Sequence, residues 1–298
     1  MRNALRKKSV LVSIATVLLL FTNYLMGEVV RHLDKSNYIS NALKNGKFSA
    51  NLNFFYMVRT FDNVKPDTKA FTGGGIIKYE SQDYHRVKIG FAYYGSHRIS
   101  GLYSRKEGIR TSLLQGNGDD IAFLGEAYLS YNLEKTIFKI GRQRLDTPLM
   151  GDLYLRVAPT TYEAAIVRNR DVPKTMIEAG YTQSYSGFGS RYSSFNNKDN
   201  LWGKDGLVYI YLKNNSMENL SIRGQYIYSL SIKNDNGITI ARRDYKYADL
   251  KYNLPIGNES YFKVQYGGND YNNAPNSTLL TFSLSKKTAI FKNKSLLF

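Results

Sequence analysis

NLSIRGQYIYSLSI, residues 219–232, alternates in twos. Leu220, Ile222, Tyr226, Tyr228 and Leu230 fall on one side, and Ser221, Arg223, Gln225, Ser229 and Ser231 on the other. A period of two belongs to extended backbone, whose successive side chains leave on opposite faces, so the run reads as a strand with one apolar and one polar face. The pattern recurs in both directions along the chain. In KFSANLNFFYMVRTF (47–61), Phe48, Leu52, Phe54, Tyr56 and Val58 oppose Ser49, Asn51, Asn53 and Arg59, with Phe55 and Met57 as exceptions. In YHRVKIGFAYYG (84–95), Val87, Ile89, Phe91 and Tyr93 oppose Arg86, Lys88, Gly90 and Ala92. FLGEAYLSYNL (123–133) and SYFKVQYGG (260–268) repeat it, the latter setting Phe262, Val264 and Tyr266 against Lys263 and Gln265. Weaker alternation marks 69–79, 135–142, 162–170, 174–184, 206–213, 244–254 and 278–285, so about twelve strands are expected.

Turn chemistry separates these segments. Asn234-Asp235-Asn236-Gly237 and Pro255-Ile256-Gly257-Asn258 are tight-turn signals, whereas 186–200 and 271–277 are longer and polar. Short turns interspersed with long polar loops suit a transmembrane antiparallel β-barrel, with short turns on one rim and long loops on the other. A soluble sandwich also alternates, but it lines its apolar face with Leu, Ile and Val. Here that face is heavy with aromatics: the chain has 25 Tyr and 15 Phe against one Trp, and tyrosine suits surfaces that are half greasy and half wet. The opposite face carries Gly, Ser, Asn and single charges, as a wet lumen does. The expected fold class is therefore all-β, an outer-membrane barrel spanning 47–285.

The N-terminus fits that destination. Arg2, Arg6, Lys7 and Lys8 precede an apolar stretch from Ser9 to Phe21, too short for a spanning helix, and small or polar residues lead to Gly27. Residues 1–27 read as a secretory signal peptide, 28–46 as the start of the mature chain, and 286–298 as an atypical tail. Removing residues 1–27 takes four positive charges from a net +17, leaving +13 on the mature chain. Such an excess often means nucleic acid. Export, and basic residues scattered singly, point instead to small anionic solutes and lipid head groups. The absence of cysteine excludes a lipoprotein signal and any disulfide framework. The expected partners are small anionic solutes, outer-membrane lipids with lipopolysaccharide, periplasmic chaperones and the barrel assembly machinery. No cofactor or metal is expected.

One run breaks the alternation. GRQRLDTPLMGDLYLRVAPTTYEA (141–164) carries Arg142, Arg144 and Arg156, the carboxylates Asp146 and Asp152, and the ladder-breaking Pro148 and Pro159. A conducting barrel needs a constriction, and a loop folded inward and lined with charge provides one. Arginine suits anions because its planar fork grips carboxylates and stays charged. Asp146 and Asp152 are placed to pair with neighbouring arginines, leaving others free for solute. Arg142 and Arg144 share the parity of Phe138 and Ile140, so a bulge or strand exit has to intervene before either points inward.

GRQRLDTPLM followed by RVAPTTYEAA resembles the stretch of OprD-family porins in which a Gly-Arg-Gln strand end leads through Thr-Pro to an Arg…Pro-x-Thr-[Phe/Tyr]-Glu run. YGGNDYNNAP (266–275) looks similar to an OprD-type segment as well. The resemblance covers most of 45–277 and is specific in 141–163, at Arg142, Gln143, Arg156, Pro159 and Glu163. It implies a substrate-selective barrel of about 18 strands with a basic track for carboxylate-bearing solutes. The chain departs from it in strand count. Its end, SKKTAIFKNKSLLF (285–298), closes on an aromatic but puts Lys292 and Lys294 on the lipid face, which suggests a truncated or frameshifted product of a longer porin gene; the rival is a twelve-stranded barrel.

The candidate solute-path residues are thus Arg142, Gln143, Arg144, Arg156, Arg168 and Arg170, the last two lying two apart on one face just after the loop. Strand parity adds Arg59, Arg86, Lys88, Arg223 and Lys263 as lumen-wall candidates. The competing classes are a surface antigen or adhesin without transport, and a barrel-wall hydrolase. A hydrolase needs a base, and only His32, His85 and His97 are available: His85 has lipid-face parity, and His97 lies near Ser96 and Ser100. GNGDD (116–120) offers Asn117, Asp119 and Asp120 but not the oxygen spacing of a calcium loop, and reads as a polar turn. Gly73-Gly74-Gly75 reads as glycines facing a crowded lumen rather than a phosphate cradle.

Overall fold

The computed structural model describes residues 36–61, 67–99, 113–114, 118–152, 158–186, 199–200, 205–230, 243–255, 260–271 and 275–286. The signal segment, Arg156, His32, Ser100, Asn117, the Asn234–Gly237 turn and all of the tail beyond Lys286 lie outside them. One short helix, α1 (Ser36–Lys44), precedes the strands. These are β1 (Lys47–Arg59), β2 (Thr68–Glu80), β3 (Val87–Arg98), β4 (Ile121–Leu133), β5 (Thr136–Gln143), β6 (Thr161–Asn169), β7 (Thr175–Ser186), β8 (Asp199–Asn200), β9 (Leu207–Asn214), β10 (Leu220–Ser229), β11 (Arg243–Asn253), β12 (Tyr261–Tyr271) and β13 (Ser277–Ser285).

All belong to one antiparallel sheet whose strands pair in chain order, with the two-residue β8 branching from β7. The twelve expected segments are the twelve long strands. The third begins three residues later than the alternation suggested, at Val87 rather than Tyr84. His85 and Arg86 take φ of 48° and 71°, left-handed values that belong to a turn, so β3 starts at Val87. Because the strands run up and down, successive connections fall on opposite rims. The described connections 81–86, 134–135, 170–174 and 215–219 are tight turns on one rim; on the other rim the strands β3 and β4, β5 and β6, β7 and β9, and β10 and β11 are separated by longer stretches of chain. Among the described residues the path ends at β1 and β13 without a pairing between them.

The faces are sorted the opposite way from a soluble protein. Phe48, Leu52, Phe54 and Tyr56 of β1 are 62–74% exposed, and Leu280, Phe282 and Leu284 of β13 are 55–76% exposed. Phe91, Ile140, Ile177, Ile210, Leu250 and Phe262 continue the exposed apolar face across the sheet. The other face buries Thr72, Ser96, Glu126, Ser130, Glu178, Thr182, Gln225 and Asp249. Greasy outside and polar inside is the order a lipid solvent selects. Near the long-loop end of the outer face, Lys246 is neutralised by Asp270 at 2.5 Å.

Two glycines of the run, Gly74 and Gly75, are explained by close backbone contact with β3 and β1 rather than by a crowded lumen. Gly75 has φ 148°, and a Cβ there would sit 1.8 Å from the Asn51 carbonyl oxygen of β1. Any side chain at that position forces the two strands apart.

Candidate functional site

The β5–β6 connection folds onto the inner face of the sheet, and its sequence explains how. Gly141 has φ 116°, and an added Cβ would meet the Ala127 oxygen at 2.3 Å, so a glycine kink ends the regular part of β5. Thr147-Pro148-Leu149-Met150 then turns. The amides and carbonyls of Thr147 and Met150 bond reciprocally at 3.3 Å, with Pro148 in the second position that its fixed φ favours. This turn places Leu145 and Met150 in a cluster with Tyr162, Ala164, Ile166, Leu207, Tyr209, Tyr211 and Ile227, on β6, β9 and β10. The returning arm places Ala158 among Ile76, Ala92, Tyr94, Ile121 and Phe123, on β2, β3 and β4. One loop therefore touches opposite sectors of the inner face, so the sheet is curled around it.

Three polar locks hold the loop. Gln225 of β10 accepts the Leu149 amide at 2.8 Å and donates to the Thr147 hydroxyl at 2.9 Å. Asp152 takes the Arg144 guanidinium, and its carbonyl takes the Thr160 amide at 2.6 Å, closing the neck. Tyr162 donates to the Gly151 carbonyl at 3.0 Å. Partial burial works against the Arg144 cation, but Asp152, with Tyr94 and Glu126 in range, outweighs it and raises its pKa. Gln225→Leu keeps the side-chain volume and removes both cross-barrel hydrogen bonds, at roughly 0.5–1.5 kcal/mol each. The expected result is a noisier open state in single-channel records, with frequent full-width openings; a trace as quiet as the parent's refutes the anchor role.

A second, unanticipated segment also reaches inward. Leu113 and Leu114 pack on Ala70, Phe55 and Met57, and the Leu113 carbonyl accepts the Ser96 hydroxyl at 2.8 Å.

Around the wall, basic side chains are repeatedly matched by a carboxylate that a tyrosine holds in place. Lys78 meets Glu126 at 3.1 Å, and Glu126 accepts the Tyr94 hydroxyl at 2.8 Å. Glu178, fully buried, takes Arg168 and the Tyr209 hydroxyl, the latter at 2.7 Å. Asp249 takes Arg223 at 2.5 Å, Lys263 at 3.2 Å and the Tyr247 hydroxyl at 2.7 Å. Such pairing keeps buried charge compensated and the wall rigid.

The sequence candidates divide on this geometry. Arg144, Arg168, Arg223, Lys88 and Lys263 lie on the inner face or on the loop above it. Arg142 and Gln143 do not face solvent. The Arg142 side chain is 1% exposed, bound to Glu163 at 2.7 Å and to the Leu124 carbonyl at 3.2 Å, and Gln143 donates to the Ala164 carbonyl at 3.0 Å. Both brace β4, β5 and β6 at the root of the loop, which corrects their placement as solute contacts. Arg142 keeps the parity of Ile140, so no inward switch occurs. Arg170 sits exposed in the β6–β7 turn, on the opposite rim from the loop. Arg86 lies in the β2–β3 turn, its amide on Asp83 at 2.7 Å, and Arg59 stacks on Phe61 at the end of β1. Arg86 is thus off the inner wall, whereas Arg59, the last residue of β1, shares the parity of the inward-packing Phe55 and Met57. Sequence reading missed Lys78, Lys139 and Lys213, which sit in weakly alternating segments, and Gln225's tie to a loop far away in the chain.

Of the serines named beside His97, Ser100 lies outside the described residues and Ser96 is not paired with it. Ser96 points inward and is buried, while the neighbouring His97 engages Asp120 at 3.1 Å and Tyr93 at 3.2 Å. His85 stands in the β2–β3 turn, not on a lipid-facing strand. Partial burial raises the Asp120 carboxyl, but the Arg98 amide and His97 outweigh that and hold it below the usual carboxylate range. Among the described residues, no group of three or more His, Cys, Asp or Glu converges as a metal site.

No protein-family profile matches the chain, and no curated protein does. Solved structures do. Acinetobacter baumannii OccAB1 is 17% identical with a TM-score of 0.60, over 77% of this chain and 53% of its own. Pseudomonas aeruginosa OccK9 (OpdG) is 16% identical with a TM-score of 0.60, over 83% and 66%. The P. aeruginosa outer membrane protein OpdK is 17% identical with a TM-score of 0.60, over 82% and 64%; it is also solved with vanillate. The chain thus spans roughly half to two thirds of the length of these structures. Inverted faces, alternating rims, an inward loop between the fifth and sixth strands and this structural likeness together give the chain the β-barrel fold of the Occ and OprD-type outer-membrane channels.

Proposed function

We propose that the chain forms the wall of an outer-membrane porin passing small anionic, carboxylate-bearing solutes through a basic lumen, without enzymatic activity. The observation that carries this reading is the loop pinned across the inner face by Gln225, its neck closed by Asp152. A packed core needs no polar loop tied across its centre, whereas a conduit needs a narrow point. Around it, among the described residues, the basic side chains of the inner face outnumber the acidic ones, and one-sign excess in a low-dielectric channel concentrates counter-ions. The aromatic outer face suits outer-membrane lipid and lipopolysaccharide, and delivery there requires periplasmic chaperones and the assembly machinery.

Planar bilayers test the reading. Full-length chain refolded from detergent is expected to give discrete conductance steps, a reversal potential favouring anions in a KCl gradient, and block by benzoate. Cation preference, or intact folded protein with no conductance, contradicts it.

A further inference from the structure

We propose that Lys88 and Lys139, on either side of Ser130, form an oxyanion subsite that takes the carboxylate of a small monocarboxylic solute. The proposal rests on the inner face being a solute path and names where on that path a solute pauses.

The register places the three residues in one row. Lys88 of β3 is opposite Ser130 of β4, and Ser130 is opposite Lys139 of β5, all on the inner face. Adjacent strands lie about 4.8 Å apart, so the two lysine Cα atoms are separated by roughly 10 Å with a hydroxyl between them. Side chains of that length can bring both ammonium groups to one oxyanion above Ser130. The row continues through Ile166, Gly180, Tyr209 and Ile227, which the loop covers. The subsite is therefore level with the narrowing and beside it.

Charge bookkeeping singles out this pair. Lys78, Arg144, Arg168, Arg223 and Lys263 each have a carboxylate partner. Lys88 has none among the described residues. The Lys139 ammonium lies 3.5 Å from the centroid of the Tyr128 ring, a contact that orients it without neutralising it. Glu80 and Glu126 are in electrostatic range of Lys139, as are Lys78 and Arg168. Both carboxylates are already engaged: Glu126 by Tyr94 and Lys78, and Glu80 by Tyr128 and Lys78 at 3.5 Å. The field at Ser130 stays positive. Lys213 and Lys251 also lack a carboxylate partner among the described residues, but the cross-strand neighbours of Lys213 are Arg223 and Met176, and those of Lys251 are Ser221 and the Asp249-bound Lys263, so neither row sets a hydroxyl between two uncompensated cations. Two movable point charges and a hydroxyl suit a single carboxylate better than the rigid two-pronged grip of a guanidinium.

The first test does not depend on conductance. Full-length refolded protein in detergent is acylated with acetic anhydride, with and without benzoate, and the rate at each lysine is read by mass spectrometry. Benzoate is expected to slow acylation at Lys88 and Lys139 several-fold and to leave Lys47 and Lys174 unchanged. Equal rates at Lys88 and Lys139 with and without benzoate overturn the subsite. In bilayers, the Lys88→Met/Lys139→Met double variant is expected to raise the half-blocking benzoate concentration about tenfold while conductance steps persist. Unchanged block in a conducting variant removes the subsite and leaves the porin reading standing. Protection of both lysines in a protein that never conducts keeps the subsite and removes the porin reading.

Discussion

Excision of Leu145–Ala158, with Arg144 joined to Pro159 through a short Gly-Asn turn, is expected to raise single-channel conductance several-fold and to erase discrimination between chloride and benzoate. The described residues of the segment take no part in the sheet, since the β5–β6 register runs from Thr136↔Asn169 to Gln143↔Tyr162 and stops before them. The wall therefore survives its loss. What goes is the bridge between two sectors: Leu145 and Met150 leave the cluster on β6, β9 and β10, and Ala158 leaves β2–β4. Losing the burial of each large apolar side chain costs about 1.5–3 kcal/mol, so the variant is expected to be less stable but folded. Heat-modifiable migration on gels checks folding and bilayer records check the pore. A folded variant with parental conductance means that the loop narrows nothing.

The periodicity of single strands was legible because it is local. Residues 219–232 state their two faces without knowing their neighbours, and β10 occupies Leu220–Ser229. What depends on pairing was not legible. Glu178 meets Arg168 because Arg168 and Glu178 are opposite in register, which no reading of β6 or β7 alone reveals. Parity also slips where a strand bulges. The β3–β4 register shifts at Ala92/Tyr93 and the β6–β7 register at Glu163/Ala164, so counting in twos across either point inverts the face. Arg142 shows the limit most sharply. Its motif position marked it as important, and it is, but burial and Glu163 make it a brace rather than a solute contact. Motif spacing records that a residue is needed; only the fold around it determines for what.

Ile210→Arg is expected to destabilise the protein by about 2–4 kcal/mol when folding is measured in phospholipid vesicles, the cost of a guanidinium near the middle of a lipid-facing strand. Ile210 lies midway along β9, is 52% exposed, and has Ala179 and Tyr226 as its cross-strand neighbours. The same number has opposite meanings in two solvents. If the exposed face met water, replacing a half-exposed isoleucine by arginine would change stability by about 0.5 kcal/mol or less, and solubility would improve. If it meets hydrocarbon, the charge must snorkel along a strand only eight residues long or thin the bilayer. Urea titration of parent and variant in vesicles separates these outcomes, because the predicted shift in midpoint far exceeds the error of extrapolation. The contrast with Lys213, three residues on in the same strand and on the other face, sharpens the point. Lys213→Ile removes a cation from the wet side, so it should leave the midpoint almost unmoved and alter only the reversal potential. A near-neutral Ile210→Arg would mean that the apolar face of the whole sheet had been assigned to the wrong solvent, and the conduit would lose its wall.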